Sequence, residues 1–286
     1  MTWFYLSLAG ALAWAIAALA QKNACRGEQA IQVSVASTTV WALLALFLVP
    51  FVHMPTSPYI IGLMLIAGTI YGVAFYLSSK AFKYLSTSEA SPLYNLGTAV
   101  TVMLAVIVLH EKMTSLQAIG VSIIILGTYI LELKKGDIFS PITRLFKSPK
   151  VHYVLFSALG YSILTVLSKY ILGMVDPITF LFSQLMVCSV FMFGLAVVRH
   201  GGINDIITGI KVHKWMILVI SVTMISGQLF EILALNLGEA ALVMPILRCW
   251  TLVAVLVGGT YFKEGHMRNR IIATAIMLLG VFIIYL

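Results

Sequence analysis

This chain is poor in charge. Only 10% of its 286 residues are Asp, Glu, Lys or Arg, while 61% are hydrophobic. A soluble domain carries about 25% charged residues, so a water-facing globular fold is excluded for most of the chain. Cysteine is also sparse. Cys25, Cys188 and Cys249 stand far apart, without metal or redox spacing, and read as ordinary packing residues. The alternation of polar and apolar residues that marks a membrane barrel strand is missing. No GxxxxGK[ST] run occurs, so ATP is not the energy source of this chain. The histidines, His53, His110, His152, His200, His213 and His266, are scattered, with no paired carboxylates beside them. No cofactor or metal is expected.

Long apolar runs fill the space that charge leaves. Mean hydropathy is +1.03. The runs are near 20 residues, the length a helix needs to cross a hydrocarbon core roughly 30 Å thick. The pattern predicts an all-α integral membrane protein with ten transmembrane helices. They lie at roughly 3–20, 31–52, 59–79, 87–109, 115–133, 151–170, 177–198, 214–235, 239–262 and 269–286. The longest connections, about 134–150 and 199–213, are polar and basic. Ser86 with Glu89, Thr114 with Gln117, and Asn236 with Glu239 have capping-box spacing at helix starts.

A net charge of +8 would ordinarily suggest nucleic acid. Here the basic residues are sorted by membrane side instead. Fifteen of the eighteen fall on one face: Lys22, Arg26, Lys80, Lys83, Lys134, Lys135, Arg144, Lys147, Lys150, Arg199, Lys211, Lys214, Lys263, Arg268 and Arg270. Lys112 and Lys169 fall on the other, and Arg248 is inside a span. The positive-inside rule makes the first face cytoplasmic. Both termini are then extracytoplasmic, in a multi-pass protein of the plasma membrane. Lys22 and Lys169 are placed to snorkel to headgroups. Ala18-Leu19-Ala20 looks like a signal-peptide cleavage site, but the positive charge follows the apolar run instead of preceding it, so the first span is expected to be kept.

The chain repeats itself. Pro92 and Glu111 lie 153 residues before Pro245 and Glu264, and Gly127 lies 153 before Gly280. ALAWAIAALAQK (11–22) lies over ALGYSILTVLSK (158–169) at an offset of 147. The six residues of difference fit in the 199–213 loop. Each half then has five helices, and an odd number inverts the second half relative to the first. The expected organisation is a first repeat at 1–135, a basic cytoplasmic linker at 136–150 and a second repeat at 151–286. Inverted repeats with proline-interrupted helices mark transporters whose substrate site lies where the repeats meet.

LHEKMTSLQAIGVSIIILGTYIL and its looser copy YFKEGHMRNRIIATAIMLLGVFIIYL complete a resemblance that covers the whole chain. It resembles the drug/metabolite transporter superfamily, in its ten-helix EamA-like branch. The resemblance implies a cavity lined by helices one, three, four, six, eight and nine. It leaves the substrate open among amino acids, sugars, nucleotide-linked sugars, choline-like amines and drugs.

Arg248 is the most unusual residue, about ten residues into the ninth span and so roughly 15 Å deep. Charge at that depth is a functional hypothesis by default. Glu231, in the eighth span, is roughly 10 Å deep. Two readings follow. The pair forms an internal salt bridge, or Arg248 meets a substrate carboxylate or phosphate while Glu231 meets an amine or a proton. Gln228 shares the face of Glu231. At the repeat offset Arg248 corresponds to Asn95, Thr251 to Thr98 and Glu231 to Ser78. Trp14 and Tyr161 are a related aromatic pair, with Tyr71 and Tyr94 of the same kind; packing and substrate contact both suit them. Pro92 and Pro245 each free a carbonyl one turn earlier, as a static kink or a cavity wall. Gly68 and Gly72 read as close helix packing. Glu111 and Glu264 read as structural corner residues.

The expected function is a secondary transporter that moves a small polar metabolite by alternating access. The metabolite is an amino acid or another carboxylate-bearing, phosphate-bearing or zwitterionic compound. The rival is a membrane-embedded lipid-linked transferase or phosphatase. The expected partners are the small-molecule substrate and the lipid bilayer, with no nucleic acid; a homodimer is compatible with the chain.

Overall fold

The computed structural model describes residues 2–25, 30–85, 87–132, 149–199, 201–253, 257 and 267–285. Among the described residues there are ten α-helices and no strand. In chain order these are α1 (Thr2–Ala24), α2 (Ala30–Ala45, continued by a 3-10 turn over Leu46–Phe51), α3 (Pro58–Tyr84), α4 (Thr87–Val108) and α5 (Ser115–Glu132). The second half holds α6 (Pro149–Leu172), α7 (Pro177–Arg199), α8 (Ile203–Leu237), α9 (Ala240–Leu247) and α10 (Met267–Tyr285). Six have the length and apolar composition to cross a membrane: α1, α2 with its turn, α3, α6, α7 and α8. The other apolar stretches, Gly97–Val108, Ser115–Gly127, Ala240–Val253 and Ala275–Tyr285, are shorter. Most of the expected 136–150 linker lies outside the described residues, as do Arg26, Ser86, Lys263 and Glu264.

The connection expected at 199–213 is mostly helix. α8 starts at Ile203 and runs for 35 residues, about 52 Å at 1.5 Å per residue. Gly202, at φ +58°, makes the turn that precedes it. The Asp205 carboxylate then accepts the Gly201 amide at 2.8 Å and the Gln32 side-chain amide at 3.3 Å. These bonds satisfy the helix start and dock it on α2.

The expected Thr114–Gln117 capping box forms. Thr114 N–H donates to Gln117 Oε1 at 2.9 Å, and Gln117 N–H donates to Thr114 Oγ1 at 3.2 Å. The Asn236–Glu239 box does not form. Asn236 is the second-last residue of α8, and Glu239 precedes α9 without a side-chain cap bond. The first turn of α9 is capped instead by Glu111, from the corner between α4 and α5. The Ser86–Glu89 box involves a residue outside the described set.

Lys22 and Lys169 turn into the protein rather than out to headgroups. Lys22 Nζ donates to the carbonyls of Phe82 at 2.8 Å and Leu85 at 2.6 Å. Lys169 Nζ donates to those of Leu235 at 2.6 Å and Gly238 at 2.8 Å. Each lysine neutralises the carbonyl end of a long helix, where unpaired acceptors and the dipole favour a cation.

Helix packing follows the duplication. α1 packs on α8 as α6 packs on α3, and α1 meets α9 as α6 meets α4. α2 packs on α8 as α7 packs on α3, and α5 pairs with its own equivalent, α10. The α5–α10 contact is backbone on backbone: a Cβ added at Gly120 would lie 2.9 Å from the Gly280 carbonyl. Gly68 and Gly72 likewise seat Val187 and Phe191 of α7, where added Cβ atoms would approach to 2.5 and 2.7 Å. That accounts for the GxxxG in α3.

Candidate functional site

α1, α3, α4, α6, α8 and α9 surround one cavity. The space among their side chains is about 690 Å³, mouth included. Three helices come from each half, and equivalent positions face one another. Trp14 and Tyr161 both line the cavity, as do Tyr71 and Met224, Ser78 and Glu231, and Tyr94 and Leu247. The first pair keeps the offset of 147 and the others that of 153.

Arg248 enters from a break in α9. Pro245 has no N–H to donate, so the Ala241 carbonyl loses its helical partner. The regular helix ends at Leu247, with Arg248 as the capping residue. Beyond it the bonds tighten to the three-residue pattern: Cys249 N–H to Ile246 O at 3.0 Å, Thr251 N–H to Arg248 O at 3.0 Å, Leu252 N–H to Cys249 O at 3.1 Å. Thr251 Oγ1 adds a 2.9 Å bond to the Arg248 carbonyl. The backbone around Arg248 is thus held firmly while its guanidinium stays in the cavity. The residue is 7% exposed and its Nε has no hydrogen-bond partner.

Glu231 lines the same cavity from α8. Arg248 and Glu231 act on each other electrostatically, yet no ion pair within 4.0 Å joins them. The internal salt bridge is therefore not formed directly. Trp14 lies beside the Glu231 carboxylate. Its ring also lies over Gly227, where an added Cβ would be 3.3 Å from three of its atoms. Gln228 Nε2 donates to Gln184 Oε1 at 3.0 Å, which ties the cavity wall to α7.

Aromatic rings make up much of the remaining wall. Tyr71 and Tyr161 meet edge to face at 6.1 Å. Tyr94 stacks on Phe82 at 6.1 Å and meets Trp250 at 6.5 Å. Tyr94 Oη is buried without a partner. Behind this layer Trp41 of α2 stacks on Tyr71 at 5.8 Å.

Eight residues singled out in the sequence line the cavity: Arg248, Glu231, Gln228, Trp14, Tyr161, Tyr94, Tyr71 and Ser78. Thr98 and Thr251 are buried but do not line it. The side chains of Asn95 and Pro92 lie outside the description, although α4 is helical through both positions. Sequence reasoning missed Trp250, Phe82, Gln21, Thr165 and Met244 on the wall. Trp250 was hidden because its repeat equivalent is Gly97, so no aromatic pair announced it. Thr165 was findable, since it is one helical turn beyond Tyr161 on the same face. Among the described residues no group of His, Cys, Asp or Glu is placed to hold a metal.

The family model described as the EamA-like transporter family matches residues 1–133 and 149–286. No curated protein matches the chain. A protein of known crystal structure superposes with a TM-score of 0.72 at 12% identity, covering 100% of this chain and 99% of that one. At that identity the likeness shows the fold alone.

Proposed function

The chain belongs to the EamA-like transporter family, and from that premise we propose that it is a secondary transporter that moves a small metabolite carrying a carboxylate or phosphate, or a zwitterion, by alternating access. It is a multi-pass membrane protein of a transporter family; the substrate class and the mechanism are our reading. One observation carries it: a guanidinium and a carboxylate, with no direct ion pair between them, border one cavity built from helices of both halves. Burying a charge without its partner costs several kcal/mol. A substrate with an anionic group gives the Arg248 fork the planar, two-point acceptor it suits. In this reading all ten helices cross the plasma membrane, both termini are extracytoplasmic, and the inverted halves exchange conformations to open the cavity to either side.

The test is uptake into proteoliposomes, with amino acids first and phosphorylated or nucleotide-linked sugars next. Uptake or counterflow should be driven by a substrate or ion gradient without ATP. Purified protein that catalyses no flux of any zwitterion, carboxylate or phosphate ester would overturn the reading.

A further inference from the structure

Resting on the transporter reading above, we propose that the Glu231 end of the cavity is an ammonium subsite, in which this carboxylate and the rings of Trp14, Tyr71 and Tyr161 take a protonated or alkylated amine of the substrate. All four residues border the same space. Gly227 and Glu231 are one turn apart on α8, and the Trp14 ring lies over Gly227, so indole and carboxylate share a helix face. Tyr71 of α3 and Tyr161 of α6 line the same space, their rings 6.1 Å apart at 62°.

The chemistry separates a cation site from a plain apolar wall. The face of an aromatic ring is electronegative. The Trp14 side chain donates toward the Glu231 carboxylate, while the faces of the surrounding rings disfavour a second anion. They favour a cation placed between them and the carboxylate. Arg248 acts on Glu231 through space but makes no ion pair with it, so the carboxylate keeps a face for a second cation. In this proposal the amine is taken by Glu231 and the anionic group by Arg248, both of which border the one cavity. A residue serving only to carry a proton would need no such ring lining.

Binding is measured on the purified full-length protein in nanodiscs, by tryptophan fluorescence and by melting temperature. The probes are methylammonium and tetramethylammonium chloride, with sodium chloride at equal ionic strength and tert-butanol as the neutral shape control. At least one ammonium probe should give a saturable response that both controls lack. Glu231→Gln should abolish it, and Trp14→Leu or Tyr161→Leu should weaken it about three- to thirty-fold. No saturable ammonium response, an equal response to tert-butanol, or a response untouched by Glu231→Gln overturns the subsite. If Glu231→Gln does not fold, unchanged ammonium affinity in folded Trp14→Leu and Tyr161→Leu overturns it equally. Transport without ammonium binding counts against the subsite alone. Ammonium binding without any transport counts against the transporter reading.

Discussion

The Glu111 carboxylate holds the first turn of α9 at Ala240, 129 residues away in sequence: the Ala240 amide donates to Oε1 at 2.8 Å and the Ala241 amide to Oε2 at 2.8 Å. Two orphan amides at a helix start are satisfied by one anion, which also meets the positive end of the helix dipole. The bond ties the first repeat to the helix that carries Arg248.

Glu111→Gln keeps one acceptor and loses the other with the charge. It should cost about 0.5–2 kcal/mol, the range for a lost helix cap, and lower the melting temperature of the purified protein. An unchanged melting temperature would mean that the cap contributes nothing.

Glu239 stands beside the same helix start and should behave in the opposite way. Its pKa is raised by burial first and by the charge of Glu111, against the pull of Lys169. A raised folded-state pKa means that the folded protein holds the proton longer than the unfolded chain. The stability contribution is therefore complete below the ordinary carboxylate pKa and fades as pH rises through the raised value. Glu239→Gln should leave the melting temperature at pH 7 equal or higher, and should flatten its fall just above the ordinary carboxylate range. Destabilisation at pH 7 would show that Lys169 outweighs burial and Glu111.

Lys22→Met and Lys169→Met should both destabilise the fold, because each frees two carbonyls at the end of a long helix. A harmless Lys22→Met beside a damaging Lys169→Met would break the functional equivalence of the two halves.

What was legible in the sequence was what the duplication writes twice. The offsets of 147 and 153 locate Trp14 opposite Tyr161 and Glu231 opposite Ser78, and the cavity brings those pairs together. Hydropathy located the apolar span of α8, Lys214–Leu237, but not the helical turns before it, because Ile203, Ile207 and Ile210 are interspersed with Asp205, Lys211 and Lys214. That stretch docks on α2 through the Asp205–Gln32 bond and the close approach of Gly209 to Gln32 and Ala36, contacts that hydropathy does not read. Partners far apart in sequence were not legible. Nothing near Ala240 names Glu111 as its cap, and nothing near Lys169 names Gly238.

The charge sorting gives an orientation that reporter fusions decide. Fusions at Leu286 should report from outside, and fusions near Gly136 from the cytoplasm, because fifteen of eighteen basic residues sort to that side. A cytoplasmic signal from the C-terminal fusion would reverse the orientation.

Arg248 carries the sharpest test. If it binds an anionic substrate group, Arg248→Lys keeps the charge but loses the two-point fork; the variant should fold yet transport poorly, and Arg248→Ala should not bind substrate. If Arg248 serves only to neutralise Glu231, its removal strands a buried carboxylate, at a cost of roughly 3–5 kcal/mol by analogy with buried pairs in soluble proteins. Arg248→Met combined with Glu231→Gln would then restore both stability and transport. The deciding measurement is substrate binding in that double variant beside its melting temperature. The gap between the two side chains and the unpartnered Nε favour the first outcome: a double variant that melts normally and binds nothing. Normal transport in the double variant would remove Arg248 from the substrate site.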